Sequence, residues 1–207
     1  MLSREEILGR LTELLPEKRY IHSLGVERTA VELAERFGAD IQKASTAALV
    51  HDCAKAFSKE ELLRLSRQYG LEIDPYYIEE PELIHGALGA EIARERFEIQ
   101  DKEILSAIAY HTTGKKNMTL LEKIIYLADL IEPGRDYPGV QEIRVKAMSD
   151  LDEALLAAFQ SVISYVLANR NVLHPRTIYA WNDLLKEWKK SCKRSTAEKD
   201  EPLSADS

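Results

Sequence analysis

An all-α fold is predicted for this 207-residue chain by three observations. Apolar residues recur at i, i+3, i+4 and i+7 from one end to the other. Alternation at period two, the sign of a half-buried strand, is almost absent. Only 9 glycines and 7 prolines are present, too few for a turn-rich all-β protein. Taken in order, a first helix is expected over about 3–14. A second, about 16–37, reads PEKRYIHSLGVERTAVELAERF; it opens on a proline at a position helices tolerate and closes at Gly38. A third, about 40–55, opens at Asp40. A fourth, about 59–69, follows the box Ser58 to Glu61, whose side chains can cap each other's backbone donors, and stops at Gly70. Residues 71–81, LEIDPYYIEEP, carry two prolines, two tyrosines and, between Asp74 and Glu80, three carboxylates, and read as a connecting loop and the most mobile segment. Helices follow at about 82–97, 102–111, 119–131 (with a second box, Thr119 to Glu122), 138–148, 150–169 and 175–189. No repeat period appears.

The length suits one domain, expected over 1–188. From Lys189 onward, KKSCKRSTAEKDEPLSADS has too few apolar residues to offset chain entropy and reads as a frayed, disordered tail over 189–207. A formal charge of −7 argues against nucleic acid as a partner of the surface as a whole, so any polyanion must meet local positive charge. The two cysteines, Cys53 and Cys192, lie far apart and form no disulfide framework, which fits a reducing cytoplasm. No signal-peptide run and no 18-residue apolar stretch is evident, so neither export nor a membrane span is expected.

The histidines carry the functional signal. Ala44, Ala47, Ala48 and His51 fall on one helical face, and Ile104, Ala107, Ile108 and His111 repeat that spacing. His22 shares a face with Val26, Thr29 and Leu33, and His85 with Gly89 and Ile92; Ile125 and Ala128 lead the same kind of face to Asp129. Any one such histidine is more often a hydrogen-bonded core residue than a ligand. Five helices that each deliver a ligand-type group to the interior, one of them as the adjacent pair His51-Asp52, are better explained by a metal. Neutral imidazole with carboxylate suits zinc, iron, manganese or cobalt.

The ordered pattern, with its dyad in ALVHDCAK and its last aspartate in IIYLADLIEPGR, resembles the HD-domain superfamily of metal-dependent phosphohydrolases. RYIHSLGV, IHGALGA, AYHTTG and LADLIEPGRDYPGV bring the resemblance closer to the bacterial YqeK-type branch, the symmetrical diadenosine tetraphosphate hydrolases, over roughly 15–185. The resemblance implies an HD-domain helical bundle. It implies a divalent transition metal, usually iron in this branch, on His22, His51, Asp52 and Asp129. His85 and His111 would then be ligands of a second ion, with Asp52 bridging, or would contact phosphate directly; one ion or two remain open at this point. Asp52 and Lys55 are the expected catalytic residues.

Lys55, at the end of the helix bearing His51, reads either as a phosphate contact or as a solvated lysine complementing the helix dipole. The resemblance favours the first, together with Thr112 and Arg135. In ANRNVLHPRTIYAW, the residues Arg170, Asn171 and His174 read equally as a border to the nucleotide and as an ordinary connection. Tyr179 and Trp181 read as core packing. The function expected is symmetrical hydrolysis of diadenosine tetraphosphate, or of dinucleoside polyphosphates generally. A water activated at the metal would attack an inner phosphorus and leave ADP (or GDP) as product. The rival readings are another HD reaction, on a cyclic nucleotide or an alarmone, and a non-catalytic ADP/GDP sensor. A homodimer is compatible with either.

Overall fold

Side-chain caps fix where most of the helices begin. A computed structural model describes residues 2–199, with side chains described to Ser191. Its elements are α1 (Arg4–Leu14), α2 (Glu17–Phe37), α3 (Ile41–Val50), α4 (Lys59–Gln68), α5 (Pro75–Glu79), a 3-10 turn (Pro81–Ile84), α6 (His85–Arg96), α7 (Lys102–Tyr110), α8 (Leu120–Ile131), α9 (Val140–Ala147), α10 (Leu151–Ala168) and α11 (Pro175–Lys199). No strand occurs among the described residues. Reciprocal serine or threonine and glutamate caps start α1, α4 and α8, and Asp40, Asp101 and Asp150 each accept from backbone N–H groups at the starts of α3, α7 and α10. Gly38, at φ 75°, closes α2 in the left-handed conformation that glycine adopts without strain.

At the centre, α2 lies against α3 and α8, and α7 spans α3 and α8. The faces that meet there are built from Val26, Ala30 and Leu33, from Ala44, Ala47 and Ala48, and from Ile104 and Ile108, all buried. Small residues on α3 allow this close approach. α8 is buried on nearly every side, from Leu121 to Ala128. Its Tyr126 stacks on Phe159 of α10, ring centroids 4.4 Å apart.

Several expectations are corrected. Regular helix stops at Val50, and residues 51–56 form tighter turns, with Cys53 N donating to Val50 O (3.0 Å) and Lys55 N to Asp52 O (2.8 Å). The stretch 71–81 holds α5 and the start of the 3-10 turn, because Asp74 accepts from Tyr76 N and Tyr77 N while Pro75 takes the first helical position. The backbone of α11 continues through Lys199, ten residues past the expected tail start, because that stretch is rich in helix-favouring Lys, Arg, Glu and Ala. The remainder of the expected tail, residues 200–207, lies outside the described residues. Tyr179 is 54% exposed beneath Lys116 Nζ, 5.0 Å from the ring centroid, whereas Trp181 does pack on the core. Finally, α10 is an 18-residue apolar helix with mean hydropathy 1.4, long and apolar enough to cross a membrane by length and composition. It carries Asp152 and Glu153 in its first turn and buries Leu155, Ala158 and Phe159.

Candidate active site

Five segments converge on one point: the second turn of α2 brings His22, the end of α3 His51 and Asp52, the start of α6 His85, the end of α7 His111, and α8 Asp129. The Asp52 carboxylate stands between two sets of groups. Its Oδ2 is 3.8 Å from His22 Nε2 and 3.7 Å from His51 Nε2. Its Oδ1 is 3.0 Å from His85 Nε2 and 3.6 Å from His111 Nε2. Asp129 Oδ1 closes the first set, 3.0 Å from His22 Nε2 and 3.8 Å from His51 Nε2. The structure thus brings together the five residues that sequence pattern placed on inward faces, with Asp52, the neighbour of His51, between them.

The orientation of each imidazole has a local cause. His51 Nδ1 donates to Ala48 O (2.6 Å), His111 Nδ1 to Ile108 O (2.7 Å), and His85 Nδ1 makes a short bond to Glu82 O. These carbonyls are acceptors only, so each Nδ1 carries the proton and each Nε2 presents a lone pair. His22 Nδ1 donates to Glu132 Oε1 at 3.1 Å, and without an ion Asp129 Oδ1, 3.0 Å from Nε2, favours a second proton there.

Such a set of lone pairs fits a cation. His85 Nε2 and His111 Nε2 face each other at 3.0 Å, and with both protons on Nδ1 this is contact between two acceptors. His51 Nε2 is buried with no hydrogen-bond partner, an arrangement that costs roughly 1–3 kcal/mol. A divalent ion on either side of Asp52 would satisfy these atoms. Burial pushes His51 down to about 4 and lowers His85, so both imidazoles are neutral near pH 7. Burial alone would raise both aspartates. Instead, His51, His111 and His85 around Asp52, and the His22 hydrogen bond, His51 and Arg135 around Asp129, hold both well below the usual carboxylate range. For His22, burial acts to lower the pKa but the hydrogen bond and charge of Asp129 outweigh it and raise it.

A cavity of about 360 Å³ opens from this cluster, lined by Lys55, Glu82, His85, His111, Thr112 and Asp129 on one side and by Val162, Tyr165, Val166, Asn171 and Val172 on the other. Lys55 Nζ lies 3.4 Å from His85 Nδ1, and burial lowers its pKa against the pull of Asp52 and Glu82. Thr112 Oγ1 donates to Leu83 O (3.2 Å). Arg135 donates from Nε to Asp129 O (2.7 Å) and from Nη2 to the Asp129 carboxylate, which leaves donors to spare. Arg170 and His174 are not among the lining residues. Arg170 is exposed, in a left-handed conformation at φ 56°. His174 is buried, with Nε2 donating to Asp74 Oδ2 (3.1 Å) and Nδ1 accepting from Arg176 N (3.2 Å), so it ties α5 to the start of α11.

Two participants were not singled out from sequence. Arg19 Nη1 contacts Asp52 Oδ2 at 3.1 Å; its position three residues before His22 on one helical face was the available signal. The other is Glu132, the first residue of EPGR.

A family model described as HD domain matches residues 19–134. The symmetrical bis(5'-nucleosyl)-tetraphosphatase of Bacillus subtilis (strain 168) is 43% identical over 186 residues, 89% of this chain and 98% of that protein. The protein of the same name from Halalkalibacterium halodurans is 42% identical over 188 residues, 91% of this chain and all of the relative. A solved structure described as a predicted HD superfamily hydrolase involved in NAD metabolism, from Clostridium acetobutylicum, superposes with a TM-score of 0.87 at 45% identity, covering 90% of this chain and 99% of that one.

Proposed function

The chain belongs to the HD-domain family, and on that premise we propose how it acts as a symmetrical bis(5'-nucleosyl)-tetraphosphatase, hydrolysing diadenosine tetraphosphate to two ADP. The observation that carries the mechanism is the position of Asp52, one oxygen toward His22 and His51 and the other toward His85 and His111. In this reading His22, His51, Asp52 and Asp129 would hold one divalent ion, and His85 and His111, with Asp52, would hold a second. We assign iron from the branch the sequence resembles; the donor set itself suits any of several borderline metals. When bound, such ions supply Lewis acidity to a phosphoryl oxygen and to the attacking water.

The chain's own residues do the rest. Neutral His51 and His85 and the ionised carboxylates of Asp52 and Asp129 present their ligand atoms already deprotonated, and the proton that Asp129 favours on His22 would be displaced by an ion. Lys55, partly desolvated in the cavity wall, offsets charge that develops on the phosphoryl oxygens, where a charged donor in a dry site is most effective. Arg19 and the spare donors of Arg135 stand at the edge of the cluster, both partly exposed, and serve the outer phosphates. The apolar wall of Val162, Tyr165 and Val166, with Asn171 beside it, accepts the nucleoside. A nucleoside seated there, with its diphosphate reaching the cluster, places the inner phosphorus at the reacting point. The products are then symmetric.

Hydrolysis in oxygen-18 water tests this. ADP should be the sole nucleotide product, with label in its terminal phosphate. ATP and AMP in equal amounts would overturn the proposed grip.

A further inference from the structure

Of the four inward histidines, His22 is held differently. The other three sit where a helix or 3-10 turn ends, and each Nδ1 uses the carbonyl three residues back, Ala48, Glu82 or Ile108. His22 lies inside α2, where the carbonyls of its own turn take up the i to i+4 hydrogen bonds of the helix. Its acceptor must come from another element. That acceptor is Glu132, the residue that caps α8, three positions after Asp129.

The surroundings of Glu132 are shaped to its carboxylate. It is 5% exposed; Oε1 accepts from His22 Nδ1, and Oε2 accepts from Gly134 N. A Cβ on Gly25 would lie 2.6 Å from Oε2, and one on Gly134 would lie 2.9 Å from Oε1, so the carboxylate rests between two bare Cα positions. Its backbone is pinned as well, since Arg144 donates to Glu132 O (2.7 Å), Ile131 O (2.8 Å) and Arg135 O (2.8 Å). A buried carboxylate costs several kcal/mol unless it is hydrogen-bonded, and here both oxygens have partners.

We propose that Glu132 is a positioning residue of the metal site. It keeps the proton of His22 on Nδ1, turns the Nε2 lone pair toward Asp52 and Asp129, and makes the imidazole a stronger donor than a carbonyl partner would. The inference rests on the metal-site reading above. It adds that α8 supplies the site twice, once through the ligand Asp129 and once, one turn later, through the residue that aims the ligand of α2. The two glycines that flank the carboxylate then have a reason to lack side chains.

Zinc alone is the probe, with affinity measured by competition against a chelator and folding followed by thermal melts. Loss of such an outer hydrogen bond typically weakens metal binding about 10–100-fold, and that is the expected effect of Glu132→Ala. Glu132→Gln keeps an amide oxygen that can accept from Nδ1 and should recover part of the affinity, since its NH2 cannot accept from Gly134 N as Oε2 does. Gly25→Ala should push the buried carboxylate off its partners and weaken zinc at least several-fold, with a lowered melting temperature, because the helix gain of alanine is smaller than the cost of displacing a hydrogen-bonded buried carboxylate. In the zinc-loaded wild type, nitrogen-15 spectra should show His22 protonated at Nδ1, with an exchange-protected proton that Glu132→Ala loses. Folded Glu132→Ala with wild-type zinc affinity would overturn the proposal; if that variant does not fold, unchanged affinity in Gly25→Ala overturns it instead. Failure of the wild type to bind zinc would sink the metal-site reading itself, a result distinguishable from either.

Discussion

Replacing Gly114 by alanine tests the turn that holds His111. Gly114 follows His111 in HTTG and closes α7 by donating its N–H to Tyr110 O at 2.8 Å. Its φ is +65°, and a Cβ there would lie 2.7 Å from Phe159 Cζ and 3.0 Å from Ala180 Cβ. The left-handed backbone costs an L-residue roughly 1–2 kcal/mol. The ring cannot swing aside freely, because Phe159 is stacked on Tyr126, so overpacking adds about 1–3 kcal/mol. Loss of glycine's freedom in the unfolded chain returns roughly 0.4–1 kcal/mol. The net is a destabilisation of about 3 kcal/mol. For a chain of this size each kcal/mol moves the melting temperature by about 2–4 °C, so a fall of about 6–12 °C is expected. Chelator-treated protein should be melted, since bound ligand raises the midpoint by mass action. Gly9→Ala is the matched control: it lies in α1 with nothing within 4 Å of its added Cβ, and should stabilise by up to about 1 kcal/mol. A melting temperature for Gly114→Ala within about 2 °C of wild type would refute both the clash and the strain.

Three other outcomes are expected. Asp52→Ala should lose metal from both positions by elemental analysis, whereas His85→Ala should keep one ion and lose the activation that a second equivalent gives; wild-type metal content in Asp52→Ala would contradict the ligand assignment. Lys55→Ala should lower kcat/KM about ten- to a hundredfold, roughly 1.5–3 kcal/mol for a charge-assisted phosphate contact, with metal content unchanged; unaltered kinetics would return Lys55 to the dipole-complementing role. In metal-free protein, the His51 pKa of about 4 lies below its ordinary value near 6.5, so the unfolded chain takes up the proton first as pH falls. The His51 contribution to stability is therefore intact above about pH 6.5 and is lost progressively down to about pH 4, by up to about 3 kcal/mol. His22 shifts the opposite way, so the measurement is the denaturant-derived stability of wild type against that of His51→Gln across this range; parallel curves would refute it.

Most of the helices were legible because period, caps and terminators agreed locally, as at Ser58 with Glu61 and Thr119 with Glu122. The inward histidines were legible for the same reason: one helical face states where a side chain points without knowledge of what it meets. What stayed hidden depends on partners remote in sequence. Asp74 and His174 are paired across 100 residues, and nothing local to LEIDPYYIEEP announces that α5 is tied to the start of α11. Arg19 and Glu132 are charged residues that pattern analysis assigns to solvent, and only the meeting of α2 with α8 and the turn after α3 shows what they touch. The length of α11 was missed for a different reason: apolar content was used to end a helix that its polar residues are able to continue.

The carbonyl anchors of the histidines have a consequence for how this site can drift. Three imidazoles take their orientation from main-chain atoms that every amino acid possesses, so substitutions at Ala48, Glu82 or Ile108 leave the acceptor in place unless they break the helix or turn. The fourth takes it from a side chain that one nucleotide change can remove. Mutational tolerance around the cluster should therefore be lopsided, broad beside His51, His85 and His111 and narrow in the strip from Gly25 to Glu132 and Gly134. A designer wishing to retune the affinity for the ion without disturbing the bundle would begin in that strip.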